Sequence, residues 1–189
     1  MEVCEGALHR PETGPAHATR WSHTASHRPL PGPRPTLPEP WLRPAMRARV
    51  HELLADGGPR EGVLTYLDEA ATRGLTLAVA SSSPATWVRG HLDRLGHTAQ
   101  FTSVETGDRH AAKPRPDTYL AALRALAVPA AEALAFEDSP NGVAAAKAAA
   151  LTIVAAPNPI TATLDFGAAD LVLPSFDAAS LGELLARFG

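Results

Sequence analysis

Ala133-Leu134-Ala135-Phe136-Glu137-Asp138-Ser139-Pro140-Asn141-Gly142 decides the fold of this 189-residue chain. A short apolar run, read as a buried strand, stops at two adjacent acids, and a helix follows at once. Parallel α/β proteins bind their ligands there, outside the carboxyl ends of the strands. Two neighbouring carboxylates repel, so a strand end that carries both calls for a cation or a basic group beside it. Lys113, within Ala112-Lys113-Pro114-Arg115-Pro116-Asp117, is the candidate.

Working outward, the pattern repeats. Val63, Leu64, Leu67 and Ala71 recur at helical spacing and end before Gly74. Leu75–Ala80 reads as a buried strand. Ser83 can cap the next helix and Pro84 suits its first turn, with Trp87, Val88, Leu92 and Leu95 as the apolar face and Gly96 as the stop. Phe101–Val104 is a short strand, and Pro116 opens a helix with Tyr119, Leu120, Leu123 and Leu126 inward. Ala133–Phe136 is a strand and Asn141–Ala150 an alanine-rich helix. Leu151–Ala155 and Leu171–Leu173 are further strands, and Ala178–Arg187 is a closing helix. Strands alternating with helices of this length predict an α/β fold, a Rossmann-like parallel sheet with helices on both faces.

The first 45 residues differ. They hold nine of the eighteen prolines, and residues 1–50 carry seven Arg against four Glu while the rest is acidic. Such a segment buries too little apolar area to offset its ordering entropy and is expected to be disordered. Its prolines could also form a polyproline II ligand. The expected organisation is thus residues 1–45 as a Pro/Arg-rich segment, 46–73 as helices including one at Met46–Ala55, and 74–189 as the α/β core. Cys4, the only cysteine, excludes an internal disulfide or a cysteine-built zinc site. No apolar run reaches the roughly 18 residues a membrane span needs, and no secretory signal is evident, so a cytoplasmic address is the default. The net charge of −3 gives no reason to expect nucleic acid as a partner.

Three strand-end features carry chemistry. Ser81, followed by Ser82 and Ser83, offers a hydroxyl and exposed amides at the start of a helix, a ready anion site; the plainer alternative is a helix cap. Lys113 can hold a phosphate as a point charge, or be an ordinary surface lysine. Glu137 and Asp138 are hard oxygen ligands of the kind Mg²⁺ takes beside a phosphate, unless Asp138 only caps the helix that follows. His91, His97 and His110 have no ligand spacing with one another, and Thr86, Arg89 and Arg115 read as surface residues.

Ser81, Lys113-Pro114-Arg115-Pro116-Asp117 and Phe136-Glu137-Asp138-Ser139-Pro140-Asn141-Gly142-Val143 together resemble the later motifs of the haloacid dehalogenase superfamily, in its β-phosphoglucomutase-like and phosphoglycolate phosphatase-like branch. The resemblance runs from about Met46 to Gly189. It implies that Ser81 binds the transferring phosphoryl oxygen, with Ser82 beside it, and that Lys113 bridges the phosphate and the nucleophile's carboxylate. It further implies Mg²⁺ on Asp138, with Glu137 beside it directly or through water, Ser139 supporting the metal loop and Asn141 helping to shape it. The substrate would be a small phosphorylated metabolite, attacked by an aspartate to give an aspartyl-phosphate.

Members of that superfamily begin with a strand ending in Asp-x-Asp-Gly-Thr, followed by a helical cap; the first aspartate is the nucleophile and the second the acid/base. Here the first aspartate is Asp56, in Ala55-Asp56-Gly57-Gly58, with no partner two residues on. The expectation is an incomplete core with a remnant of the cap and little or no phosphatase activity. That first strand lies between the strands ending at Ser81 and Glu137, so without it the two inner strands close up, receive an insertion, or lose pairing. Two explanations compete: residues 1–44 translated from the wrong frame of a GC-rich gene, which their composition favours, or a shortened protein with a binding or regulatory role. The alternative function is a non-catalytic α/β binding module with a disordered basic tail. The substrate and the oligomeric state are not legible.

Overall fold

A computed structural model describes residues 8–9, 48–50, 52 and 54–188. The expectation of disorder for residues 1–45 falls almost wholly outside them. Contacts divide the chain into two compact units, one of Arg10–Gly57 and one holding Gly58–Gly189 with Met1–His9. In the first, residues 48–50, 52 and 54 are helical, as the reading of Met46–Ala55 expects, with Val50 exposed.

In the second unit, β1 (Leu8–His9) pairs antiparallel with β2 (Gly58–Pro59). The α/β core follows as α1 (Val63–Thr72), β3 (Ala78–Ala80), α2 (Ala85–Leu95), β4 (Ser103–Glu105) and α3 (Asp117–Leu126). It continues as β5 (Leu134–Glu137), α4 (Pro140–Ala148), β6 (Thr152–Ala155), β7 (Leu171–Val172) and α5 (Leu181–Phe188). β3 and β4 are parallel, with Ala80 opposite Glu105. β5, β6 and β7 are parallel in that order, with Glu137 opposite Ala155.

Successive strand side chains point to opposite faces, and two cores result. On one face Leu77, Leu134, Phe136 and Val154 pack with Val63, Tyr66 and Leu67 of α1 and Leu181 and Leu184 of α5. On the other, Ala78, Ala80, Ala135 and Ile153 pack with Tyr119 and Ala122 of α3 and Val143, Ala145 and Ala146 of α4. Small residues on this second face let α3 and α4 approach closely. Helices therefore cover both faces, as the sequence predicts.

The sheet is not continuous. Among the described residues no ladder joins β3 to β5, although Ala78 and Ala80 of β3 share the second core with Ala135 of β5. Of the outcomes expected for a core without its first strand, the two inner strands have not closed up on each other. Toward their N-terminal ends a cavity of about 250 Å³ lies between Leu75, Thr76, Ala133, Leu134, Leu185 and Phe188.

Helix faces differ from the periodicity in detail. In α1, Tyr66 and Ala70 are buried while Leu64 is exposed, because the helix turns Tyr66 toward Phe136 and Phe176, with ring centroids 5.4 and 5.3 Å away. In α2 only His91 is buried, stacked edge-on against Trp87 at 4.5 Å, and the predicted apolar face is half-exposed. In α3, Leu120 is exposed and Thr118, Tyr119, Ala121 and Ala122 face inward. Gly96 ends α2 in the left-handed conformation that glycine adopts without strain, as expected.

Candidate active site

Ser82, Lys113, Glu137 and Ser139 are joined by hydrogen bonds at the carboxyl ends of the strands, with Ser81 at the end of β3 and Asp138 next to Glu137. The Glu137 side chain is their hub. It is 1% exposed, and its Oε1 accepts from Lys113 Nζ at 2.5 Å and from the Tyr119 hydroxyl. Lys113 is also buried, and its ammonium lies 4.8 Å from the centre of the Tyr119 ring. A charge pair so far from water is held by its geometry: each partner compensates the desolvation of the other, and the phenol takes up a remaining lone pair. The alternative of a solvated surface lysine does not hold.

The segment after β5 follows from local sequence. Ser139 is the N-cap of α4, its Oγ accepting from Gly142 N at 3.1 Å, and Pro140 occupies the first turn. Asp138 is therefore not the helix cap. Ser139 Oγ also lies 3.4 Å from Glu137 Oε2. Gly142 is demanded by close approach: a β-carbon there would overlap the Glu137 carboxylate. Asp138 Oδ2 accepts from Asn158 Nδ2 at 2.7 Å. Asn141 is exposed on the first turn of α4.

The serine and lysine loops are zipped together. Ser81 is fully buried, donates its amide to Glu105 O at 2.8 Å, and accepts from Ser83 N on its Oγ at 3.0 Å. Ser82 Oγ accepts from Lys113 N at 3.1 Å. Gly107 N donates to Ser83 O, and a side chain on Gly107 would overlap Ser82 O. Ser83 does not cap α2. Its first amide, on Ala85, instead meets Asp108 Oδ1 at 3.2 Å, a partner 23 residues away that no local pattern reveals.

Below Lys113 the Glu105 carboxylate takes Ser103 Oγ at 2.5 Å and His110 Nε2 at 2.6 Å. Burial pushes its pKa up, but the Ser103 and His110 hydrogen bonds and the His110 and Arg109 charges outweigh that and hold it below the ordinary glutamate value. His110 thus binds Glu105, and His91 is buried. His97 Nδ1 meets Gln100 Oε1 at 2.9 Å. Arg115 is a surface residue, 3.5 Å from Asp117.

A divalent cation fits this arrangement in a limited way. Among the described residues no group of three or more His, Cys, Asp or Glu could cage a metal. Asp138 supplies a hard carboxylate at the strand end, whereas Glu137 is committed to Lys113 and Tyr119. One carboxylate completed by water and substrate oxygens is a Mg²⁺ arrangement rather than that of a structural metal.

Sequence reading placed neither Tyr119 nor Arg60 in this region, and it gave no sign of the approach of Asn158 to Asp138 or of Gly142 to Glu137. Tyr119 was assigned to the core, where a buried phenol nonetheless needs a polar partner. Arg60 gave no signal.

The parallel strands, the helices on both faces and the Lys–Glu–Ser cluster define an α/β core with a polar site at its strand ends. A haloacid dehalogenase-like hydrolase profile matches residues 15–150, starting within the Pro/Arg-rich segment. The chain belongs to that family. It is 41% identical over 140 residues to the Bacillus subtilis protein YhcW, covering 74% of this chain and 64% of that one. It is 39% identical over 150 residues to CbbY of Rhodobacter capsulatus, with the same coverage of each. The crystal structure of Rhodobacter sphaeroides CbbY in complex with phosphate superposes with a TM-score of 0.71 at 35% identity, over 81% of this chain and 71% of that one. A variant of that protein, with the same figures, was solved with xylulose-(1,5)bisphosphate. The chain thus spans just under two thirds of the length of these two curated relatives.

Proposed function

We propose that these residues are the phosphate-and-cation half of a Mg²⁺-dependent phosphoric monoester site for small phosphorylated metabolites. The observation that carries this reading is the buried Lys113–Glu137–Tyr119 cluster, tied through Ser82 to the serine loop at the ends of parallel strands. Ser81 and Ser82 receive phosphoryl oxygens. Lys113 adds positive charge, and Glu137 and Tyr119 fix where that charge sits. Asp138 is the cation ligand, Ser139 holds the loop that carries it, and Asn141 lies at its rim. Mg²⁺, when bound, would neutralise charge on the phosphate. Most of the effect of such a site is positioning and electrostatics.

The same reading includes a limit on turnover. A phosphoryl-transfer site of this kind needs a carboxylate nucleophile, and the sequence contains no aspartate before Asp56. The chain by itself is therefore expected to bind phosphate with Mg²⁺ and to hydrolyse little or none of a phosphate ester. Inorganic phosphate with Mg²⁺ should raise the unfolding temperature of the chain, since a ligand that binds only the folded state stabilises it. Asp138→Asn should abolish the Mg²⁺-dependent part. Robust Mg²⁺-dependent hydrolysis of p-nitrophenyl phosphate, lost in Asp138→Ala, would overturn the limit on turnover. Failure of phosphate and Mg²⁺ to protect the fold would favour a non-catalytic α/β binding module.

A further inference from the structure

We infer that Arg60 and Asn158 are positioning residues that set the Asp138 carboxylate for its cation, an inference that rests on reading Asp138 as the cation ligand. Asn158 has its amide orientation fixed from both ends. Its Oδ1 accepts from the amides of Ile160 at 2.8 Å and Thr161 at 3.1 Å, so the NH₂ end must point the other way. That end donates to Asp138 Oδ2 at 2.7 Å. The backbone of Asn158 is held as well, its amide donating to Thr161 Oγ1 at 3.0 Å and its carbonyl accepting from Ala162 N at 2.8 Å. Asn158 is thus a rigid donor aimed at a single carboxylate oxygen.

What fixes the turn to the sheet is Arg60. Its guanidinium donates to Ala156 O at 2.6 Å and to Pro157 O at 2.8 Å, two successive carbonyls gripped by one planar fork. The fork also lies 5.3 Å from the centre of the Phe176 ring, which restricts where it can swing. On the other side Ala156 N donates to Glu137 O at 2.7 Å, tying the same segment to the end of β5. Pro157 has no amide hydrogen, so its peptide cannot be fixed by donating to a ladder, and the arginine supplies the missing anchor. The line of bonds runs from Arg60 through the 156–158 segment and the Asn158 amide to Asp138. A cation held mainly by one protein carboxylate depends on that carboxylate being preset, since among the described residues no group of three or more His, Cys, Asp or Glu gathers to hold it. Groups that orient a metal ligand typically change metal affinity by about 10–100-fold when removed.

The test uses the full chain with Mn²⁺ as the probe, in the presence of inorganic phosphate, with free Mn²⁺ read by electron paramagnetic resonance. Arg60→Met keeps an apolar stem on Phe176 and removes both donors; Asn158→Leu removes the amide without touching Arg60. Each is expected to weaken Mn²⁺ binding by about 10–100-fold, Arg60→Lys to fall between Arg60→Met and the unaltered chain, and the double variant to be no weaker than the worse single one. Unfolding temperatures of the metal-free variants are measured alongside, since a merely structural role would move those and leave the Mn²⁺ affinities unchanged. If both single variants bind Mn²⁺ like the unaltered chain while Asp138→Asn does not, the positioning role is overturned and the reading of Asp138 stands. If the unaltered chain and Asp138→Asn do not differ in Mn²⁺ binding, the reading of Asp138 falls, and the positioning role with it.

Discussion

Replacing Gly142 by alanine tests the crowding around Glu137. Gly142 lies inside α4, where alanine is ordinarily favoured over glycine by up to about 1 kcal/mol. A helix-propensity argument alone therefore predicts a more stable protein. The structure predicts the reverse, because the new methyl would overlap the Glu137 carboxylate. That carboxylate cannot retreat cheaply: it is 1% exposed and is held by Lys113, itself 4% exposed, and by Tyr119. Displacing it separates a buried ion pair, a loss of about 3–5 kcal/mol when one partner is removed outright. Set against the helix term, the net effect is a destabilisation of about 2–4 kcal/mol. Urea unfolding of the full chain measures it, read as a shift in midpoint at constant slope. In a Glu137→Ala background the overlap is gone, so Gly142→Ala should there be neutral or stabilising. A Gly142→Ala protein as stable as the unaltered chain would refute the reasoning.

Three further outcomes follow from the packing and the charges. Phe136→Ala removes a fully buried ring that meets Tyr66 edge-on at 5.4 Å, and should cost about 3–5 kcal/mol in the same assay. Tyr119→Phe deletes one donor to the buried Glu137 carboxylate and should cost about 1.5–3 kcal/mol, whereas a surface tyrosine would cost almost nothing. Glu105 and Asp170 both have lowered pKa values. For Asp170, burial opposes the shift and is outweighed by hydrogen bonds from Lys147 and the Ile153 amide and by the Lys147 charge. A carboxyl whose folded pKa is depressed gives stability that is present above its unfolded value and is lost as pH falls through the folded one. Unfolding free energy should therefore decline below about pH 4, and Glu105→Gln should flatten that decline; an unchanged acid limb would contradict the assignment.

How much of this was legible in the sequence depends on the range of each interaction. Leu134–Glu137 followed by Ser139, Pro140 and Gly142 is a local pattern, so the strand, the acids at its tip and the helix after it could be read directly. The pairing of Lys113 with Glu137 was legible only as a requirement: two adjacent acids needed a positive charge, and few candidates existed. Faces of marginal helices were less readable. Leu64 fits the period of α1, but the Tyr66 ring fits the gap between Phe136 and Phe176, and the tertiary fit wins. Contacts between distant residues gave no signal at all. Asp108 on the first amide of α2, Asn158 on Asp138, and Arg60 on a loop 96 residues away join segments that only the folded chain brings together.

Phosphate is expected to bind at the carboxyl ends of β3 and β4. Amide ¹H–¹⁵N spectra of the full chain, titrated with inorganic phosphate in the presence of Mg²⁺, measure this residue by residue. The largest shifts are predicted at Ser81, Ser82, Ser83 and Lys113, with the Mg²⁺-dependent part lost in Asp138→Asn. Shifts confined to other parts of the chain, or none at millimolar phosphate, would contradict it.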